Sequence, residues 1–272
     1  MKLLIASDME GISGVTHWDQ VSPEKPEYQR FRTLMTADVN AAIEGASEAG
    51  VDEIIVADGH SSGSNILIEQ LDPRARLHSG NDAPNAMLQG IDKSINAAFF
   101  IGYHARAGTL NAVCDHTWSS RKVMNVTLNN RPVGEIGLNA SLCGYYGVPV
   151  LLISGDQAAV QEAQSLIKGV DCVIVKKATS RQSAECLHPE EARRLIREGA
   201  GHAIRRYLAG KYPLPLKTDS PLTLEITFTN SSMADSACRL PGAMRLDART
   251  IRLVFNEFQA AYHGFIAAVN LA

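Results

Sequence analysis

Met1-Lys2-Leu3-Leu4-Ile5-Ala6-Ser7-Asp8-Met9-Glu10-Gly11 is the stretch from which the fold is read. Leu3 to Ala6 is a continuous apolar run rather than an alternation, as expected of a strand covered on both faces of a parallel sheet. It breaks off at Ser7-Asp8 into a loop with two carboxylates. The same format returns at Ile54 to Ala57, followed by Asp58-Gly59-His60, and at Ala97 to Ile101, followed by Gly102-Tyr103-His104; a fourth run is Val148 to Ile153. Between the first two runs, Tyr28, Phe31, Leu34, Met35, Val39, Ala42, Ile43 and Ala46 follow a helical period, with Gly50 where a C-terminal cap belongs. That is one βαβ unit. The expected fold class is α/β, a doubly wound and mainly parallel sheet.

Farther along, a helix is marked from about Pro189 to Leu208 by proline in its first turn, Glu190 and Glu191 next, Arg205 and Arg206 in its last turn and Gly210 beyond. After Lys211-Tyr212-Pro213-Leu214-Pro215 the pattern changes. Leu222 to Phe228 alternates as a half-buried strand, and Thr250 to Phe255 reads as another. These features place a soft boundary near 185 to 215, between a catalytic α/β part (1–185) and a smaller C-terminal α+β part (186–272). One continuous domain is also compatible with the pattern.

Composition narrows the functional classes. Lys+Arg 26 against Asp+Glu 29 gives a net charge of -3, without the basic footprint that phosphate-backbone binding needs, so nucleic acid is not an expected partner. No run approaches the ~18 apolar residues that span a bilayer. The opening apolar run is too short for a signal-peptide core, so a soluble cytoplasmic protein with no membrane partner is expected. Five scattered cysteines (Cys114, Cys143, Cys172, Cys186, Cys238) form no C-x-x-C pair, consistent with reduced thiols and inconsistent with a zinc knuckle.

Ligands of open parallel sheets bind beyond the carboxyl ends of the strands. Three runs deliver Asp8 and Glu10, His60, and His104 to that rim, and a mixed carboxylate and imidazole set suits zinc or another borderline divalent ion. Asp8 and Glu10, two positions apart, point to one side if the backbone is extended. Each residue also has a plainer reading. Asp8 is a cap or turn residue, Glu10 a solvated charge, His60 an exposed loop histidine, and His104 a satisfied half-buried one. Glu135, near the start of a helix after the strand at about Val123 to Leu128, simply complements the helix dipole. Three such accidents on one sheet edge weigh against the plainer readings taken together.

Ser7-Asp8-Met9-Glu10-Gly11, Asp58-Gly59-His60, Gly102-Tyr103-His104-Ala105 and Arg131-Pro132-Val133-Gly134-Glu135-Ile136-Gly137-Leu138-Asn139-Ala140, in this order, resemble the motifs of the DppA-type zinc-dependent D-aminopeptidases. The resemblance runs from residue 1 to about 185, including Pro149-Val150-Leu151 and Ser154-Gly155-Asp156, and is looser in the last third. It implies two zinc ions per subunit held by Asp8, Glu10, His60, His104 and Glu135, with Asp8 as bridge and His116 as the catalytic histidine. It also implies a ring-shaped homo-oligomer, a decamer. The activity implied is removal of the N-terminal residue from small peptides or amides, D-amino-acid-containing ones in particular. Cys114 and Asp115 before His116 depart from the smaller or less charged neighbours expected there, which bears on substrate preference.

In such a site a pair of metals makes hydroxide available near neutral pH, and His116 either donates to the oxyanion or protonates the leaving amine. The substrate's amino group would meet a metal or an acidic group such as Asp115. Three alternatives stand beside this reading: a thiol amidohydrolase built on Cys114 and His116, a non-catalytic metal- or peptide-binding protein, and a two-metal phosphoesterase.

Overall fold

The computed structural model describes residues 1–80 and 82–272. Its first half runs β1 (Lys2–Ser7), α1 (Tyr28–Glu48), β2 (Glu53–Asp58), β3 (Ala75–His78), β4 (Ala97–Tyr103), β5 (Val123–Leu128), β6 (Arg131–Pro132) and α2 (Glu135–Tyr145). Its second half runs β7 (Val150–Asp156), α3 (Gln157–Leu166), β8 (Asp171–Ser180), β9 (Ser183–Cys186), α4 (Pro189–Leu208), β10 (Leu222–Phe228), α5 (Ser231–Ala237), β11 (Met244–Arg245), β12 (Thr250–Phe255) and α6 (Phe258–Leu271).

The first sheet has the order β3-β2-β1-β4-β7-β8-β9 and is parallel except for the β8–β9 pair. It is the doubly wound, mainly parallel sheet expected from the unbroken apolar runs. Within β1, Leu3 and Ile5 enter one core with the apolar faces of α1 and α4, whereas Leu4 and Ala6 enter the other, with α2 and the second sheet. Two-sided burial explains why the run does not alternate.

The second sheet, β11-β12-β10-β5-β6, is antiparallel. Its inward residues Val126, Leu128, Leu224, Ile226, Ile251 and Leu253 pack on the first layer. The division between the sheets does not follow chain order. β5 and β6 join β10 in the second sheet, while α4 packs on α1 beside the first. Among the described residues no helix is long and apolar enough to cross a membrane.

Register places the candidate site. Ser7 lies opposite Asp58 on one side and Ile101 on the other, so β1 and β2 finish level and β4 runs only two residues farther, to Tyr103. Sequence order reverses here, with β2 and β3 on one side of β1 and β4 and β7 on the other. This is the topological switch point, where a crevice opens beyond the strand ends.

Candidate metal centre

Past β1 the backbone runs directly against the end of β4. Asp8 N donates to Ile101 O at 2.9 Å and Gly11 N to Gly102 O at 2.8 Å. A Cβ on Gly11 would stand 2.0 Å from Tyr103 O, and one on Gly102, at φ +76°, would stand 2.3 Å from Asp8 O. Only glycine permits so close an approach. From below, Lys176 of β8, 1 % exposed, donates its Nζ to Glu10 O at 2.5 Å and Ile12 O at 2.9 Å. The carboxylate-bearing loop is therefore held from the side and beneath.

Asp8, Glu10, His60, His104 and Glu135 come together and are all buried. His60 Nδ1 lies 3.3 Å from Asp8 Oδ1 and 3.0 Å from Glu10 Oε2. His104 Nε2 lies 3.3 Å from both Asp8 Oδ2 and Glu135 Oε1. Asp8 thus stands between two groups, one oxygen toward each. Glu135, at the start of α2, also accepts from Trp118 N at 2.6 Å. One turn on, Asn139 donates to Tyr103 Oη at 2.8 Å and accepts from Tyr262 Oη at 2.9 Å, which ties α2 to β4 and α6.

The ring of His116, the catalytic histidine that the resemblance implies, stacks on His104 at 4.0 Å and 13°. Its Nε2 stands 3.7 Å from Glu135 Oε1 and 3.9 Å from Glu10 Oε1. The segment bearing it is fixed by Asp156, which caps α3 through Ala159 N and accepts from Val113 N at 2.8 Å. Among the described residues, His104, His116 and Glu135 form one set of ligand atoms within 4.8 Å of one another, and Asp8, Glu10 and His104 form a second. By distance alone His116 is a possible ligand as well as a proton carrier.

Each imidazole has one nitrogen committed to a main-chain carbonyl: His60 Nε2 to Val21 O at 2.8 Å, His104 Nδ1 to Ala105 O and His116 Nδ1 to Cys114 O, both at 2.9 Å. A carbonyl only accepts, so that nitrogen carries the proton, and in the neutral ring the other presents a lone pair to the carboxylates. This arrangement is typical of metal-ligating histidines. Asp8 Oδ2, Glu10 Oε2 and His104 Nε2 are buried without an aligned hydrogen bond. Lone pairs converging in this way need a proton or a cation between them, so the residues fit a divalent metal.

Electrostatics agree. Burial disfavours the His60 and His104 imidazolium forms, but Glu10 and Asp8 around the first, and Glu135 and Asp8 around the second, hold both pKa values well above the ordinary histidine range. Burial raises the Asp8 pKa, yet the adjacent imidazoles of His104 and His60 bring it well below the usual carboxylate range.

Other residues of the same motifs have different tasks. Asp58 accepts from Asn65 N, Asn65 Nδ2 and Ile66 N, closing the loop that carries His60. Asp115 is not a free partner for a substrate amine: Oδ1 accepts from Arg181 Nε at 2.8 Å and Oδ2 from Gly108 N at 2.6 Å. The Cys114 thiol is fully buried, and burial, followed by the charge of Glu10, pushes its pKa up to about 12. That is the reverse of an activated thiolate.

Four contributors went unnoticed in the sequence: Lys176, Arg181, Arg121 and Trp18. Trp18 meets His116 edge-on at 5.2 Å, and the Arg181 guanidinium lies over its ring at 5.5 Å. A lysine inside the apolar stretch Val173-Ile174-Val175-Lys176 was the one available signal. The cluster lines a cavity of about 710 Å³, within the range of small-molecule sites.

With this geometry in hand, comparison with known proteins is informative. A family model described as D-aminopeptidase matches residues 1–267. The chain is similar to the D-aminopeptidase of Bacillus subtilis (strain 168), with 38% identity over 273 residues, 100% of this chain and 98% of the relative. A similar solved structure is the Zn-dependent D-aminopeptidase DppA from Bacillus subtilis, a self-compartmentalizing protease. It matches with TM-score 0.95 and 37% identity over 100% of this chain and 97% of that one.

Proposed function

The chain belongs to the D-aminopeptidase family, and on that premise we propose that Asp8, Glu10, His60, His104 and Glu135 hold two zinc ions per subunit, with Asp8 shared between them. The protein is a zinc-dependent aminopeptidase, and we assign it short peptides or amides with an N-terminal D-residue as substrates. The observation that carries the metal assignment is the buried convergence of unpaired carboxylate and imidazole atoms at the switch point. The division of Asp8 between the His60–Glu10 side and the His104–Glu135 side supports two ions.

Zinc supplies Lewis-acid polarisation of the scissile carbonyl and a hydroxide nucleophile near neutral pH. The remaining work falls to the chain. With Nδ1–H on the Cys114 carbonyl, His116 presents a basic Nε2 to the reacting groups. Nε2 would take the proton released by the attacking water and deliver it to the leaving amine nitrogen, a role that the neutral tautomer favours over oxyanion donation. Stacking on His104 and the edge of Trp18 hold the ring in place. Glu24 and Asp82, which line the cavity and are not among the zinc-holding residues, draw the substrate's ammonium group inward, a task that Asp115, committed to Arg181, does not perform.

We further propose a cytoplasmic homo-oligomer, a decamer as the resemblance implies, supported by the self-compartmentalizing nature of the similar DppA structure. The test is a panel of D- and L-aminoacyl amides and dipeptides, with added zinc and with chelator, beside metal analysis. Chelation should abolish turnover and zinc restore it. Asp8→Ala should drop bound metal from about two ions per chain to less than one. Full metal content in that variant would overturn the ligand assignment.

A further inference from the structure

The charged lining of the site cavity is unevenly distributed. Asp8, Glu10 and Glu135 are among the residues proposed to hold the two zinc ions, whose charge offsets theirs; of the other described lining residues Glu24, Asp58 and Asp82 are acidic, and apart from histidines Arg121 and Arg181 are the cationic ones. We propose that Arg181 and Arg121 bind the free carboxylate of the leaving fragment, making this aminopeptidase selective for short peptides with an ionised C-terminus over the corresponding amides. The inference rests on the aminopeptidase reading above.

Arg181 is set up as an anion partner. Its Nε donates to Asp115 Oδ1 at 2.8 Å and its Nη2 to Asp115 O at 3.0 Å, while its face covers Trp18. Nη1 has no partner among the described residues, so one edge of a fixed, always-charged fork is left for a ligand. The Arg121 side chain makes no hydrogen bond or ion pair among the described residues. Both cations belong to segments flanking His116: Arg121 follows Trp118-Ser119-Ser120, and Arg181 pairs with the residue before His116.

Their position relative to His116 gives the direction of the substrate. His116 Nε2 returns a proton to the leaving nitrogen, so that nitrogen, and whatever lies C-terminal to it, rests on the His116 side. A second cavity of about 630 Å³ continues there, sharing His116, Ser120 and Arg181 with the first and walled by Leu110, Val123 and Met124. A peptide with its leaving nitrogen at His116 then has its C-terminal carboxylate on the side of the arginines.

The test uses the zinc-loaded enzyme and two matched substrates, D-alanylglycine and D-alanylglycinamide. The readout is the ratio of their kcat/KM values. Wild type should favour the free acid by ~10-fold or more, the scale of a charge-assisted hydrogen bond at a partly exposed arginine. In Arg181→Ala that preference should shrink, and in the Arg121→Ala/Arg181→Ala double variant it should fall to about 1, through KM and with metal content retained. Arg181→Lys should keep part of it. Equal losses on acid and amide would mean that Arg181 acts only through Asp115 and His116, and would overturn the proposal, as would a wild type with no preference. Failure of the wild-type zinc enzyme to cleave either substrate would instead remove the aminopeptidase reading, and this inference with it.

Discussion

Replacing Lys176 by methionine separates what the buried lysine costs the fold from what it does for the site. Burial lowers its pKa from 10.5 to about 8, so at ~1.4 kcal/mol per unit the charged form costs the folded state about 3 kcal/mol. Methionine fills similar space and removes that cost. It leaves Glu10 O without its donor, a loss of ~1–3 kcal/mol, whereas Ile12 O keeps a bond from Val15 N. The two terms nearly cancel, and Lys176→Met should match wild-type stability within about 2 kcal/mol near neutral pH. Zinc affinity should fall ~10–100-fold, because the loop presenting Asp8 and Glu10 loses its lower support. The depressed folded-state pKa also fixes a sign: the stability contribution of Lys176 is full above pH 10.5 and lost as pH falls through about 8. Wild type should therefore gain about 3 kcal/mol on the variant across that window, in denaturant titrations of metal-free protein at several pH values, with zinc affinity measured by competition with a chelating dye. Unchanged zinc affinity, or a stability difference that is flat with pH, would refute the reasoning.

Three further outcomes can be checked. His116→Ala should keep its bound zinc and lose ~10²–10⁴ in kcat and kcat/KM together in steady-state assays; loss of metal with the histidine would make it a ligand instead. Cys114→Ala should retain most zinc-dependent turnover, since a thiol raised to about 12 is not the nucleophile, and inactivity with metal and fold intact would restore the thiol reading. Light scattering should give a mass several times the 29.4 kDa of the chain, and a monomer at all working concentrations would remove the proposed assembly.

Sequence conveyed the parallel sheet because two-sided burial leaves an unmistakable trace: after the first residue of β1 and of β2, the strands β1, β2, β4 and β7 lack polar positions until near their carboxyl ends. It conveyed Asp8, Glu10, His60 and His104 for a related reason, since polar groups directly after such strands have little to do unless they face the crevice. Glu135 was not readable in this way; as a first-turn glutamate it looks like dipole complementarity, and only the family motif singled it out. The proximity of His116 to His104 is set by Asp156, forty-three residues from its partner Val113, and no local spacing carries that information. The pairing of Asp115 with Arg181 spans sixty-six positions and was equally hidden. The sharing of the second sheet between β5 and β10 escaped notice because antiparallel pairing carries no mark of which distant strand completes it.

The carbonyls of Val21, Ala105 and Cys114 orient the three imidazoles, and every amino acid possesses a carbonyl. Where a carboxylate side chain orients a ligand histidine, one mutation deletes the partner. Here substitution at positions 21, 105 or 114 leaves the acceptor where it was, provided the backbone path survives. Mutational fragility is thereby moved away from these neighbours to the points that fix that path, Gly11 and Gly102 above all, where a single added methyl group collides with main chain. Saturation mutagenesis scored by metal retention should accordingly find tolerance beside the histidines and intolerance at the two glycines, although neither glycine has a side chain with which to touch a ligand.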